Sequence, residues 1–171
     1  NKPIKPYANT KDGSRNMKKS LGVSLLSADI LSLGDAVDTL TLAGATRLHL
    51  DVMDQHYVDN FTFGPHVCRA LRARGCTLDI DVHLMVNPVR ALLEATVKSG
   101  ASCVLFHHET SADVVKDLAW VKAQGCDVGL ALNPDQNHED LKPYLADCDY
   151  VLVMSVYPGF GGQGFIPATL D

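Results

Sequence analysis

The sequence predicts a parallel α/β protein of the (β/α)8 barrel class, apparently truncated after its sixth strand. From Ser20 onward, short apolar strands alternate with amphipathic helices, and a glycine follows each helical stretch except the last. This alternation indicates a parallel sheet covered by helices. Polar residues on the inward face of the second and third strands favour a closed barrel over an open doubly wound sheet. No GxGxxG motif follows the first strand, which weakens the dinucleotide-binding alternative.

Local residue patterns predict each element in turn. Pro65 and Pro88 suit the first turn of a helix. Four glycines lie just past helical stretches, where helices commonly end in the left-handed conformation: Gly44, Gly75, Gly100 and Gly125. The predicted strands are residues 22–26, 47–52, 78–84, 103–107, 128–131 and 150–154, and the predicted helices are residues 34–43, 65–74, 88–99, 111–124 and 138–145.

The strand count determines the expected domain organisation. A barrel of this class has at least about 200 residues, and the strands here recur about every 25 residues. We therefore expect residues 17–171 to form a barrel domain that is incomplete at its C-terminus by about 50 residues. Residues 1–16 are polar and lack periodicity, so we interpret them as a polar extension or a remnant of expression or processing.

The composition indicates which binding partners and which cellular compartment are expected. The formal net charge of −5 argues against nucleic acid and anionic membranes, which favour basic patches. No apolar run approaches about 18 residues, so no membrane-spanning helix is expected. The five cysteines form no CxxC pair, which favours reduced thiols and a cytoplasmic protein.

Histidines and carboxylates at strand ends predict a metal site. His49 and Asp51 share one face of their strand because successive side chains alternate, and Asp79, Asp81 and His83 share a face of the next. Two imidazoles and a carboxylate at neighbouring strand ends form a plausible open site for a divalent cation. For His49 and Asp51 alone, a hydrogen-bonded core pair is the better interpretation. His83 on the adjacent strand, together with the glycine-rich loop at residues 159–164, reverses that preference.

Other polar residues near these strands receive structural interpretations. Asp79 and Asp81 are expected to orient a histidine or to close the bottom of the barrel. Asp54 is expected to cap a loop or to support a residue of the site, in preference to a catalytic role. The remaining histidines are interpreted as structural, substrate-adjacent or surface residues: His56, His66, His107, His108 and His138.

Three segments together resemble the ribulose-phosphate 3-epimerase family over residues 21–171. They are SLLSAD at 24–29, LHLDVMDQHYVDNFTFGP at 48–65 with DVHLMVNP at 81–88, and MSVYPGFGGQGF at 154–165. The resemblance implies a (β/α)8 barrel that binds one divalent metal ion (Zn, Fe, Mn or Co) and a small sugar phosphate. We also expect a homo-oligomer.

The resemblance also implies roles for individual residues. Asp51 would be both a metal ligand and the catalytic acid/base, and His49 and His83 would be the other metal ligands in this sequence. The substrate would contact Ser24, His83, Gly159, Phe160, Gly161 and Gly162. Three methionines, which could otherwise be core filler, would line the site: Met53, Met85 and Met154.

The implied reaction is metal-dependent epimerisation at C3 of D-ribulose 5-phosphate to D-xylulose 5-phosphate, through a 2,3-enediolate, in the pentose phosphate pathway. The alternatives are an allulose-6-phosphate 3-epimerase and a non-catalytic barrel fragment that binds metal or phosphate. A related decarboxylase branch is disfavoured because no lysine lies between Asp51 and Asp54.

This sequence departs from the family pattern at several positions. The family usually has glycine, phenylalanine and proline where Gln55, Tyr57 and Asp59 stand. No Val-Asp-Gly-Gly motif, which carries the family's fourth metal ligand, occurs here. We therefore expect the chain ending at Asp171 to be inactive by itself.

Overall fold

Six parallel strands form a single curled sheet in the computed structural model, which describes residues 20–170. Each strand pairs with the next one in the chain, so the spatial order equals the sequence order. This is the arrangement of a (β/α) barrel through its sixth strand, and the predicted fold class is confirmed. The interpretation of residues 1–16 falls outside the described residues. The strands are β1 (Gly22–Ser24), β2 (Arg47–Met53), β3 (Asp79–Met85), β4 (Cys103–His107), β5 (Asp127–Leu132) and β6 (Tyr150–Val153).

Four α-helices occupy the first four predicted helical stretches. They are α1 (Leu33–Leu42), α2 (Pro65–Ala73), α3 (Arg90–Lys98) and α4 (Val114–Ala123). Pro65 stands in the first turn of α2, as predicted. The four glycines after these helices have φ values between +77° and +99°, the left-handed region in which glycine is least strained.

Three predicted boundaries were wrong by a few residues, and a local hydrogen bond explains one of them. α3 begins at Arg90 instead of Pro88. α4 begins after Asp113, whose carboxylate caps the Lys116 amide at 3.1 Å. The first strand stops at Ser24 instead of residue 26.

The fifth predicted helix differs in type. Residues His138–Asp147 form a 3₁₀ helix with Pro143 inside it. Proline has no amide hydrogen and its ring clashes with the preceding turn of an α-helix. The α-helix predicted over 138–145 was therefore wrong, although the segment is helical.

The hydrophobic core lies between the sheet and the helices. Alternate residues of β2 and β3 point outward and are fully buried there, including Leu48, Leu50, Ile80 and Val82. Burying a side chain of this size contributes about 1.5–3 kcal/mol. Among the described helices, none has the length and apolar character needed to cross a lipid bilayer.

The opposite set of residues on these strands faces the interior of the curled sheet. In β2 and β3, Asp51 is in register with His83, and Met53 is in register with Met85. Because the strands are parallel, their C-terminal ends meet at one edge, and this register brings the predicted polar residues to that edge.

Candidate metal centre and active site

The three predicted metal ligands converge at the C-terminal end of β2 and β3. His49 Nε2 lies 3.3 Å from Asp51 Oδ1, and His83 Nδ1 lies 3.4 Å from the same oxygen. All three potential ligand atoms are within 4.8 Å of one another. Two nitrogens and one carboxylate oxygen form a donor set that suits Zn²⁺ and neighbouring transition metals. This group could therefore hold a divalent cation.

The charges within this group reinforce one another. Burial would raise the pKa of Asp51, but hydrogen bonds from His49 and His83 outweigh burial and lower that pKa well below its usual range. Burial would lower the pKa of His49, but the hydrogen bond and charge of Asp51 outweigh it and raise that pKa. For His83, complete burial prevails and its pKa is lowered. The carboxylate thus stays ionised while His83 stays neutral, the two states that metal ligation requires.

Hydrogen bonds hold Asp51 in place from both sides. The Ser24 hydroxyl donates to Asp51 Oδ2 at 2.7 Å and accepts from the Leu26 amide at 3.1 Å. The Thr62 hydroxyl donates to the Asp51 carbonyl and accepts from the Met53 amide at 3.1 Å. Ser24, the predicted substrate contact, therefore lies directly against the carboxylate.

Two of the three methionines expected to line the site are buried beside it. Met53 and Met85 follow Asp51 and His83 by two residues, and so share their face of the sheet. Met154 follows the end of β6 and is half-buried. A lining role for these residues remains a prediction.

The glycine-rich loop after β6 packs against the loops that follow β1 and β2. The Asn60 side chain donates to the Gly159 carbonyl at 2.6 Å, and a Cβ built on Gly161 would lie 3.3 Å from Ser27 Oγ. Gly159 and Gly162 have φ values of +121° and +74°. Among the described residues, no acceptor takes a hydrogen bond from the amides of residues 159–162.

The expected roles of the neighbouring aspartates are resolved by their partners. Asp54 caps its loop, accepting from the amides of His56 (2.9 Å) and Asn87 (3.3 Å), as predicted. Asp79 and Asp81 both pair with Arg47, at 3.2 Å for Asp79. Of the two roles expected for Asp79 and Asp81, these bonds favour closing the end of the barrel opposite the metal group.

Gln55 occupies a strained position in the same loop. Its φ is +63°, the only positive value among the described non-glycine residues. A residue with a Cβ is disfavoured there by roughly 1–2 kcal/mol. The departure from glycine noted in the sequence thus falls where the backbone would favour glycine.

A cavity of about 400 Å³ lies inside the curled sheet and adjoins the metal group. Ser24, His49 and Asp81 line it at one level of the sheet, where they are in register, and Arg47 lines it farther down the barrel. Residues of β6, including Tyr150, complete the wall. The metal group is therefore reachable from the barrel interior.

A polar cluster that was not predicted from the sequence lies on the far side of His83. The fully buried His107 places its Nε2 atom 2.9 Å from His83 Nε2, and the Tyr57 ring lies 4.6 Å from the His107 ring, measured between centroids. The Tyr57 hydroxyl donates to Glu109 Oε1 and accepts from Asn133, both at 2.6 Å. Gln136 also donates to Glu109 Oε1 at 2.7 Å. The sequence contained one indication of this cluster, namely the polar residues Glu109 and Asn133 just after the ends of β4 and β5.

Burial controls the titration of this cluster. It lowers the pKa of His107 to about 2, helped by repulsion from His83 and His108. Burial, together with the hydrogen bond to Glu109, raises the pKa of Tyr57. His107 is therefore neutral, and the Tyr57 hydroxyl keeps its proton.

Comparison with known proteins relates this chain to one enzyme family. Residues 20–171 match the model of the "Ribulose-phosphate 3 epimerase family". The chain is 47% identical over 156 residues to a ribulose-phosphate 3-epimerase of Serratia marcescens, covering 91% of this chain and 74% of that protein. It is equally identical over 163 residues to ribulose-phosphate 3-epimerase 2 of Cupriavidus necator, covering 95% of this chain and 67% of that protein.

Solved structures support the fold alone. The tryptophan synthase α subunit of Legionella pneumophila superimposes with a TM-score of 0.56 over 80% of this chain and 62% of that chain, at 14% sequence identity. At so low an identity the match concerns the β/α architecture and not the chemistry. The epimerases, in contrast, are matched through the sequence itself.

Proposed function

This chain belongs to the ribulose-phosphate 3-epimerase family, and on that premise we propose that it acts in the metal-dependent epimerisation of D-ribulose 5-phosphate to D-xylulose 5-phosphate. The observation that carries the proposal is the convergence of His49, Asp51 and His83 within 4.8 Å at the C-terminal ends of two strands. Active sites of β/α barrels form at that end.

Two imidazole nitrogens and one carboxylate oxygen would hold the cation. A bound divalent ion supplies a Lewis acid that stabilises negative charge on the carbonyl and hydroxyl oxygens of the substrate. Zn, Fe, Mn and Co are all compatible with this mixed donor set. Ser24 bonds to the other oxygen of Asp51 and so keeps Oδ1 directed toward the two histidines.

Asp51 removes the proton at C3 of the sugar phosphate. The electron pair of the C–H bond moves into the C2 carbonyl, which gives the 2,3-enediolate. Inversion is completed when that pair returns to C3 and takes a proton from a second acid on the opposite face, an acid that the group of three residues does not include. A carboxylate with so low a pKa is a weak base. The step therefore depends on a more acidic C3 proton, which a divalent cation bound to the substrate oxygens would provide. Within residues 20–170 no further carboxylate joins the metal group, and Asp51 is thus the one acid/base that this group contributes.

The loop after β6 would bind the phosphate. Glycines allow successive backbone amides to converge on an anion. The amides of residues 159–162 have no acceptor among the described residues and are available for phosphate oxygens. The bond from Asn60 to the Gly159 carbonyl links this loop to the loop that follows Asp51.

We place the protein in the cytoplasm and expect it to self-associate. All five cysteines are unpaired thiols, which suits a reducing compartment. Ile30, Leu31 and Leu42 expose their side chains near α1 and could be covered in an oligomer.

Deuterium exchange at C3 tests the proposal. The chain, loaded with Zn²⁺ or Co²⁺, is incubated with xylulose 5-phosphate and separately with ribulose 5-phosphate in D₂O, and C3 deuterium is measured by mass spectrometry. Exchange needs only the base and the cation, so it can be detected even without inversion. We expect metal-dependent exchange that Asp51→Asn lowers roughly a thousandfold.

Asp79→Asn is the matched control, because Asp79 lies on the adjacent strand but pairs with Arg47. It should keep the exchange rate within threefold. Exchange by Asp51→Asn within tenfold of the parent, or none by a metal-loaded parent with either epimer, would refute the proposal.

A further inference from the structure

We infer that His107 is a positioning residue that holds His83 with Nδ1 free to bind the metal ion. This inference rests on the proposed function, since it concerns the metal that His83 would ligate. No sequence motif singled out His107 for such a role. Its location against the far edge of the His83 ring is what suggests it.

The two nitrogens of His83 face different partners. Nδ1 lies on the Asp51 side, 3.4 Å from Oδ1, and Nε2 lies 2.9 Å from His107 Nε2. Two imidazole nitrogens at that distance share one proton, so one is the donor and the other the acceptor. If Nδ1 of His83 binds a cation, the proton must be on His83 Nε2, and His107 Nε2 must accept it.

The surroundings of His107 favour the acceptor state of its Nε2 atom. A neutral imidazole whose Nε2 accepts carries its proton on Nδ1. Among the described residues, His107 Nδ1 makes no hydrogen bond, but the carboxylate oxygen Oε1 of Glu109 lies 3.8 Å away and attracts a proton there. Gln136 donates to this same oxygen at 2.7 Å, so Glu109 remains held in place even without its second donor, the Tyr57 hydroxyl.

Burial makes this hydrogen bond hard to replace. Both rings are almost inaccessible to water, with relative exposures of 1% for His83 and 0% for His107. The Tyr57 ring packs on His107 and covers this side of the pair. Without His107 Nε2, the buried N–H of His83 would lack an acceptor, and the ring would favour the opposite tautomer, in which Nδ1 carries the proton and cannot bind metal.

Zinc affinity of three variants of the full chain tests this role, measured by competition with a chelating dye. His107→Phe keeps a ring of similar size without an acceptor, and we expect it to weaken Zn²⁺ binding roughly 10- to 100-fold. His107→Gln offers an amide oxygen near the same position and should restore the affinity to within about threefold of the parent. Tyr57→Phe, the control, keeps the ring contact and should also remain within about threefold.

Imidazole ¹⁵N NMR of the Zn²⁺-loaded parent decides the case if His107→Phe fails to fold. We expect His83 to bind zinc through Nδ1 with a proton on Nε2, and His107 to carry its proton on Nδ1. His83 bound through Nε2, or His107 protonated on Nε2, would overturn the inference. So would a folded His107→Phe with the affinity of the parent, or a loss by Tyr57→Phe as large as that by His107→Phe.

These outcomes separate the two proposals. A parent that binds no Zn²⁺ contradicts the metal centre of the proposed function, and the positioning role fails with it. A parent that binds Zn²⁺ with a His107→Phe variant that binds equally well contradicts only the role of His107.

Discussion

The Ser24 hydroxyl donates a hydrogen bond over 2.7 Å to Oδ2 of Asp51. The two oxygens of this carboxylate therefore have different partners. Oδ2 accepts from Ser24, and Oδ1 is the atom that His49 and His83 approach. β1 and β2 pair in parallel with Ser24 in register with His49, so the sheet itself delivers this contact. The first strand, although only three residues long, orients the carboxylate proposed as the base.

Removing this hydroxyl should slow proton transfer. The hydrogen bond to this charged group contributes about 1.5 kcal/mol to holding Oδ1 toward the two histidines, so Ser24→Ala should lower the rate of C3 deuterium exchange about tenfold through loss of that orientation. Ser20→Ala is the matched control: Ser20 lies just before β1 and its hydroxyl contacts Thr46 instead. Equal rates for Ser24→Ala and Ser20→Ala would show that the bond to Asp51 does not assist the reaction.

Stability should fall as the pH drops below about 6.5, because the folded chain keeps His83 and His107 neutral. Burial lowers the pKa of both residues, to about 2 for His107, whereas in the unfolded chain each has its ordinary value of 6.5. Below pH 6.5 the unfolded state therefore binds more protons, and His107 reduces the free energy of unfolding by about 1.4 kcal/mol per pH unit, with His83 acting in the same direction.

Two other residues leave this window unchanged. His49 has a raised pKa, so its stabilising effect is complete below pH 6.5 and is lost only as the pH rises above that value, and Asp51 keeps its stabilising effect because its folded pKa lies below the window. Urea unfolding at pH 7, 6 and 5 should show a smaller pH dependence for His107→Gln than for the parent. His66→Gln, at an exposed histidine, should show the parental dependence. An unchanged slope for His107→Gln would contradict the assignment of a buried neutral histidine.

Gly129 of β5 should not tolerate a side chain. A Cβ atom there would overlap the Tyr150 carbonyl oxygen of β6 and approach Leu105 Cδ2 to 2.8 Å. We expect Gly129→Ala to lower the free energy of unfolding by about 2 kcal/mol.

Gly22→Ala is the matched control for this substitution, since its Cβ would meet only Arg47 atoms at an ordinary 3.8 Å. Urea unfolding compares the two variants directly. If Gly129→Ala and Gly22→Ala had the same free energy of unfolding, β5 and β6 could move apart to accept the extra methyl group, and the predicted close contact would be wrong.

Most of the fold could be predicted because periodicity is a local signal. Strand alternation placed His49, Asp51 and His83 on one face, and the register of β2 and β3 brings them together. The 3₁₀ helix at His138–Asp147 was not predicted because a proline inside a helical pattern, here Pro143, is compatible with two structures. The segment can be an interrupted α-helix or a 3₁₀ helix, and the sequence does not distinguish them.

The His107 cluster could not be predicted because its evidence is not local. β4 is buried along its whole length, so its pattern does not show which of its faces is inward. Tyr57 comes from the loop after β2, and its partners Glu109 and Asn133 follow β4 and β5. Only the folded sheet brings these three loops together.

The most direct test of the metal centre is a crystal structure of the Zn²⁺-loaded chain with an anomalous difference map at the zinc edge. We expect one strong peak at about 2.0–2.2 Å from His49 Nε2, Asp51 Oδ1 and His83 Nδ1. A zinc ion bound only to other residues, or a His49 or His83 ring turned toward the helices, would contradict the metal centre on which the proposed epimerisation depends.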